Sequence, residues 1–340
     1  MGQGRDRRDR ARSPGPGASR TPSPASSRAS YRGPGRFRHA GAYEVEREWR
    51  RYEGTPQREL LRGVRERFLE RALRTASEEV RWAAEVGPGP GRFTPLVGQG
   101  AERLLLVDLS TPMLRAAAER VEAGSGPSSE GGVDLVQADA SRSPLKERSL
   151  DRVVALGNLV GFAGPRARSV LEGLARAVAP GGALVLETQA AVTSVPRFLD
   201  EAGPPELRRT FVSDPRHELP RLLREGWRPV PPPKPAGREG SGDIRGIGGI
   251  GSLGGLGGTG PTFRFMARSE VSHLLSREGL NVVDELVAAP LLGGSPELLD
   301  TLLRSGGPGL RALLRWEETV GREREFLEAG GHLLTCAVRD

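Results

Sequence analysis

Gly87, Gly89 and Gly91 alternate directly after an apolar run that ends Ala84-Glu85-Val86. A glycine has no Cβ, so it enters positive-φ conformations and lets a ligand approach its backbone. A helix expected to open near Arg92-Phe93 would place the unpaired N–H groups of its first turn beside that backbone, facing the same ligand. The next apolar run, 104–107, stops on Asp108. An acid about 20 residues beyond the first glycine is placed to accept hydrogen bonds from ribose hydroxyls. Neither of two common phosphate-binding turns fits. A dinucleotide turn reads G-x-G-x-x-G, and here the third glycine comes one residue early; a P-loop needs a lysine after its last glycine, and the only lysines are Lys146 and Lys234. The competing reading is a tight turn with no ligand.

More polar residues close the later apolar runs. Asp139 follows 133–137, Gly157-Asn158 follows 153–156, and Glu187 ends 183–187. Asn158 either orients a ligand or caps its strand, and Glu187 either lines a cavity or caps its strand. His39, His217, His273 and His332 are too widely spaced for a metal motif such as H-E-x-x-H. His217 is a candidate base or an exposed histidine. Cys336, the single cysteine, excludes an internal disulfide, and its apolar surroundings suggest a buried inert thiol.

The E-x-G-x-G-x-G turn with an acid ending the next strand resembles the class I S-adenosylmethionine-dependent methyltransferases, of the small-molecule "type 11"-like kind. Other segments share the likeness: D-L-S-x-x-M-L at 108–114, Ala138-Asp139-Ala140, Ser143-Pro144-Leu145 with Ser149-Leu150-Asp151-Arg152-Val153-Val154, and a helix–Pro180-Gly181-Gly182–strand unit. It covers 83–190 well and 263–340 more loosely. Leu150 stands where the family more often has phenylalanine, and the N-P-P-[YF] signature of amino-group methylation is absent.

The resemblance implies S-adenosyl-L-methionine as cofactor and a Rossmann-like, doubly wound seven-stranded α/β sheet with its last strand antiparallel. It puts Gly87, Gly89 and Gly91 at the methionine moiety, with Glu85 supporting the loop or the amino group. Asp108 would hold the ribose. Leu109 and Met113 would pack near the adenine, Asp139 would accept from its amino group, and the N–H of Ala140 would face a ring nitrogen. Gly157 and Asn158 would lie beside the methyl-transfer site. The catalytic residues stay open, with Asn158 and His217 the candidates. No metal is implied.

These residues need elements to position them. Residues 43–77 carry an amphipathic stripe (Leu60, Leu61, Val64, Phe68, Leu69, Leu73), read as a helical cap over 41–80. Tyr43, Trp49 and Tyr52 either shape a pocket or anchor that cap. Four β-α units and a closing strand are expected within 81–190, including helices at 111–121 and 166–179 and a fifth strand at 183–187 that Pro180-Gly181-Gly182 separates from its helix. Residues 191–262 form an insertion holding Pro231-Pro232-Pro233 and a glycine-rich flexible loop at 242–260. Residues 263–340 complete the domain, with a helix at 268–278, a sixth strand at 282–287, helices over 297–328 broken at 306–309, and a final strand at 331–338.

The chain has 340 residues, 36% of them hydrophobic, with 47 glycines and 28 prolines. The net charge is +7. Residues 1–40 hold ten arginines against two aspartates, so the remainder is close to neutral. This Arg/Ser/Pro-rich tail cannot bury enough apolar surface to offset its chain entropy, and reads as disordered or as an arm for RNA phosphates. No apolar run spans a bilayer and no signal segment opens the chain, which points to a cytoplasmic protein. The function expected is methyl transfer to a small-molecule acceptor by in-line displacement. An RNA methyltransferase using the basic tail and a non-catalytic S-adenosylmethionine-binding protein are the alternatives. Oligomeric state is open.

Overall fold

A computed structural model describes residues 45–75, 79–122, 132–189, 227–229, 262–288, 301, 307–329 and 331–340. The tail 1–40, Tyr43, His217 and the glycine-rich run 242–260 lie outside the described residues. The strands are β1 (Val80–Val86), β2 (Ala101–Asp108), β3 (Val133–Gln137), β4 (Leu150–Ala155), β5 (Val178–Gln189), β6 (Trp227–Pro229), β7 (Thr262–Arg264), β8 (Leu280–Ala288) and β9 (His332–Arg339). The α-helices are α1 (Val45–Arg50), α2 (Pro56–Thr75), α3 (Thr94–Gly98), α4 (Thr111–Glu122), α5 (Leu159–Phe162), α6 (Ala167–Ala177), α7 (Arg268–Arg277), α8 (Gly307–Val320) and α9 (Arg324–Ala329).

Seven strands form one sheet in the order β3-β2-β1-β4-β5-β9-β8, with β6 and β7 as a separate antiparallel pair. Strands β1 to β5 are parallel, and β9 runs antiparallel between β5 and β8. This is the expected Rossmann-like α/β sheet with an antiparallel last strand. Successive side chains of a strand point to opposite faces, and β2 shows the consequence. Leu104 and Leu106 join a core with Leu60 and Phe68 of α2, Leu114 of α4 and Leu313 of α8. Leu105 and Val107 join the opposite core with Val170 and Leu174 of α6 and Leu274 of α7. Burial on both faces explains why the carboxyl halves of β2 and β4 read as unbroken apolar runs. Truncating fully buried Leu105 to alanine would cost about 2–5 kcal/mol.

The chain winds outward through β1, β2 and β3, then returns to lay β4 on the other side of β1. The crevice at such a reversal, at the carboxyl ends of the strands, is where open α/β sheets bind ligands.

Three local expectations need correction. Pro180-Gly181-Gly182 does not separate helix from strand but lies inside β5, which already starts at Val178. The extra residues are absorbed in a bulge opposite Leu150–Arg152 of β4. A Cβ on Gly182 would sit 2.9 Å from the Asp151 carbonyl oxygen, so the bulge needs glycine there. Second, β3 and β4 are joined through a single 3-10 turn, Ala140–Arg142, with no α-helix between them. Third, α8 opens on Gly307 within the expected break, with Gly306 outside the described residues, and an unexpected break falls at 321–323. There a Cβ on Gly321 would lie 2.4 Å from the Val287 carbonyl oxygen, so helix and β8 touch through backbone.

Candidate active site

Glu85, Asp108 and Asp139 stand at or just past the ends of β1, β2 and β3, and Gly157-Asn158 at the end of β4. The glycine turn leaves β1 with the Gly87 N–H donating to the Val107 carbonyl at 2.7 Å, which ties the turn to β2. Its glycines differ in what surrounds them. A Cβ on Gly91 (φ +85°) would lie 2.5 Å from the Ala117 Cα, so this residue lets the turn rest on α4. Gly89 (φ +54°) faces open space: among the described residues, its chain neighbours aside, no atom lies within 4 Å of where a Cβ would be.

Glu85 is buried and accepts a hydrogen bond from the Thr94 hydroxyl at 2.5 Å. Burial pushes its carboxyl up to about 7; the Thr94 hydroxyl opposes the rise and the nearby Asp108 charge adds to it. Asp108 accepts from the Ser110 N–H at 2.8 Å. Burial pushes the Asp108 carboxyl up to about 6, against the stabilising backbone N–H groups of Ser110, Gly89 and Leu109. The Gly89 peptide and the Asp108 carboxylate are therefore neighbours, although their sequence positions suggest no contact.

Asp139 accepts from the Ser141 N–H at 2.9 Å, capping the 3-10 turn, and pairs with Arg166 at 3.2 Å. That pair is half-exposed and weak, and a carboxylate has lone pairs to spare for another donor. Leu109 presents an exposed side chain, while Met113 is buried within α4.

The helical cap sits on the residues that follow the glycine turn. The Trp49 ring has the Arg92 guanidinium 3.4 Å from its centroid and that of Arg120 at 3.8 Å. Arg92 also donates to the Trp49 carbonyl and to Glu53. Tyr52 meets the Phe93 ring edge-on at 5.7 Å. Trp49 is thus an anchor, whereas the Tyr52 hydroxyl reaches toward Gly157, 3.7 Å from where a Cβ would stand.

Sequence reasoning missed a buried network at the ends of β4 and β5. Glu187 is wholly buried and takes two hydrogen bonds from Arg65 of α2, at 2.5 and 2.9 Å. The same carboxylate accepts from the Gly157 N–H at 2.9 Å and lies 2.6 Å from His332 Nδ1. Gly157 and Asn158 both have left-handed backbone, φ +69° and +63°. Asparagine tolerates that conformation better than most side chains. The signal available for Arg65 was a cation on the apolar stripe of α2, one residue past Val64 and three before Phe68.

Residues 83–182, from β1 into β5, match the model of a methyltransferase domain. These residues are a methyltransferase domain. The match takes in the glycine turn and all four strand ends, but leaves out Arg65, Glu187 and His332. No curated protein matches the chain in sequence. Among solved structures, the N-methyltransferase NodS from Bradyrhizobium japonicum WM9 in complex with S-adenosyl-L-homocysteine is similar, with TM-score 0.45, 15% identity, and coverage of 86% of this chain and 95% of that one. An S-adenosylmethionine-dependent methyltransferase from Mesorhizobium loti gives 0.43 and 18%, covering 84% and 99%. One from Clostridium acetobutylicum gives 0.45 and 10%, covering 83% and 91%.

Proposed function

We propose that the methyltransferase domain transfers the methyl group of S-adenosylmethionine to a small-molecule acceptor. The observation that carries the cofactor side is the pairing of the open Gly89 peptide with the Asp108 carboxylate at the reversal of the sheet. The residues suit such a ligand. Gly89 leaves room for close approach, and two carboxylates whose charge is disfavoured by burial gain from donors brought to them. Gly87, Gly89 and Glu85 would hold the methionine moiety, Asp108 the ribose, and Leu109, Asp139 and the Ala140 N–H the adenine. Met113 would act from within α4, and Gly91 through its packing on α4. When bound, the cofactor supplies an activated methyl group; the protein's task is alignment, which can lower a barrier by about 7–11 kcal/mol.

The small-molecule acceptor rests on charge. Outside residues 1–40 the chain carries 40 basic and 41 acidic residues, which offers no broad field for a polyanion. The helical cap over residues 41–80 would close the cofactor side. We place the protein in the cytoplasm on its single cysteine and on the lack of a spanning segment; among the described residues no helix is long and apolar enough to cross a membrane.

The test is formation of S-adenosylhomocysteine with a small-metabolite extract and, separately, with total RNA, using the full chain and a chain lacking residues 1–40. Turnover with the extract, unaffected by the truncation, supports the proposal. Turnover with RNA alone, lost on truncation or with added salt, would favour the RNA reading.

A further inference from the structure

We infer that His332 is the general base of the reaction, with Glu187 and Arg65 as its positioning residues. The inference deepens the proposed function and rests on it.

Antiparallel pairing sets His332 opposite Gln189, at the carboxyl end of β5. One carboxylate, that of Glu187, holds both the His332 ring and the Gly157 N–H, so the ring is fixed beside the strand end at which Asn158 stands. Arg65 keeps that carboxylate ionised. A contact of 2.6 Å from ring nitrogen to an ionised carboxylate places the proton on Nδ1, which donates to Glu187. The ring nitrogen left to accept a proton is then Nε2. Among the described residues Nε2 has no hydrogen-bond partner. The His332 side chain is 12% exposed, against 0% for Glu187 and 2% for Arg65, so it is the outward end of the network.

Asn158 fits the same tautomer once its amide is turned, and Arg65 Nη2, 3.3 Å from Nδ1, then donates to Glu187 alone. Its Nδ2 lies 3.2 Å from His332 Nδ1 while its Oδ1 is buried without a partner. Two N–H groups cannot bond each other. Turning the amide over gives the Nδ1 proton a second acceptor and relieves the orphaned oxygen. The groups facing the ring are then Glu187 from β5, Arg65 from α2 and Asn158 from the turn after β4; Tyr52 stands behind Arg65, whose guanidinium is 5.4 Å from its ring centroid.

An acceptor that such a base serves carries a proton on an attacking atom that also holds a lone pair, as a phenol or alcohol oxygen does. As that atom bonds to the methyl carbon, its proton passes to Nε2, the carbon–sulfur pair stays on the cofactor's sulfur, and the imidazolium later returns the proton to solvent.

The test needs no acceptor. Sinefungin carries an amine where S-adenosylmethionine carries its methyl, and S-adenosylhomocysteine carries nothing there. Nitrogen-15 spectra of the histidine rings, with His332 assigned through His332→Gln, would be followed from pH 5 to 9 in the free protein and with each ligand, binding being checked by calorimetry. The expected result is an Nδ1–H tautomer whose Nε2 resonance moves with sinefungin at least three times as far as with S-adenosylhomocysteine. Binding of both ligands with an Nε2–H tautomer, or with equal shifts, overturns the role of His332 and leaves the cofactor assignment standing. Binding of neither overturns both.

Discussion

Arg65 on α2 and Glu187 on β5 lie 122 residues apart in the chain and meet in a two-pronged ion pair with both side chains buried. The pair fastens the helical cap to the strand end that presents Gly157. Removing one partner leaves the other charge buried and uncompensated, so Arg65→Met should destabilise the fold by about 3–5 kcal/mol in urea unfolding. Adding Glu187→Leu should recover part of that loss.

Acidification gives an independent check on this pair. Burial pushes the Glu187 carboxyl up, but Arg65 and His332 more than offset it and hold it well below the usual carboxylate range. A depressed carboxylate contributes stability that is present above its unfolded value, about 4.3, and is lost as pH falls toward the folded value. Urea titrations below about pH 4.3 should show wild type losing this contribution and Arg65→Met having little of it to lose.

Gly89 and Gly91 should respond differently to the same substitution. In Gly91→Ala the new methyl meets the α4 backbone at 2.5 Å, on top of left-handed strain, for a loss of about 2–4 kcal/mol. Gly89→Ala meets nothing and should lose only about 1–2 kcal/mol. Its methyl would nevertheless stand where the cofactor approaches, and S-adenosylhomocysteine affinity should fall at least tenfold. Thermal melts and calorimetry on the two variants separate the effects.

Cofactor affinity should depend on pH through Asp108 and Glu85, raised to about 6 and about 7. Ribose and ammonium donors favour the ionised carboxylates, so affinity should fall as pH drops from 7.5 to 5.5, with protons released on binding near pH 6. Calorimetry in two buffers of different ionisation enthalpy measures that release, and Asp108→Asn should reduce it. For stability the sign is reversed relative to Glu187: raised groups contribute below their unfolded values and lose that contribution as pH rises through 6 to 7.

The Cys336 thiol is buried, which pushes it up to about 12. It should resist maleimide at pH 8 in the folded protein and label within minutes in urea.

Much of the sheet is visible in the sequence because β1, β2 and β4 are covered on both faces. β2 and β4 close on runs of apolar residues, 104–107 and 153–156, and the next polar residue, Asp108 or Asn158, marks the carboxyl end. Arg65 and His332 gave no such sign. One is among many arginines on a charged helix, and their shared partner, Glu187, is 122 residues from Arg65 and 145 from His332, so only the folded topology joins them. Pro180-Gly181-Gly182 misled for another reason: proline and glycine interrupt a strand locally, but pairing with β4 and β9 carries β5 across the interruption.

The most direct measurement is calorimetry of S-adenosylhomocysteine against wild type and Asp108→Ala, with NADH as the competing ligand. The account predicts one molecule of S-adenosylhomocysteine per chain, affinity at least tenfold weaker in the variant as expected for a lost charge-assisted hydrogen bond of roughly 1.5–3 kcal/mol, and no NADH binding. Tight NADH binding, or equal S-adenosylhomocysteine affinity in the two proteins, would contradict it.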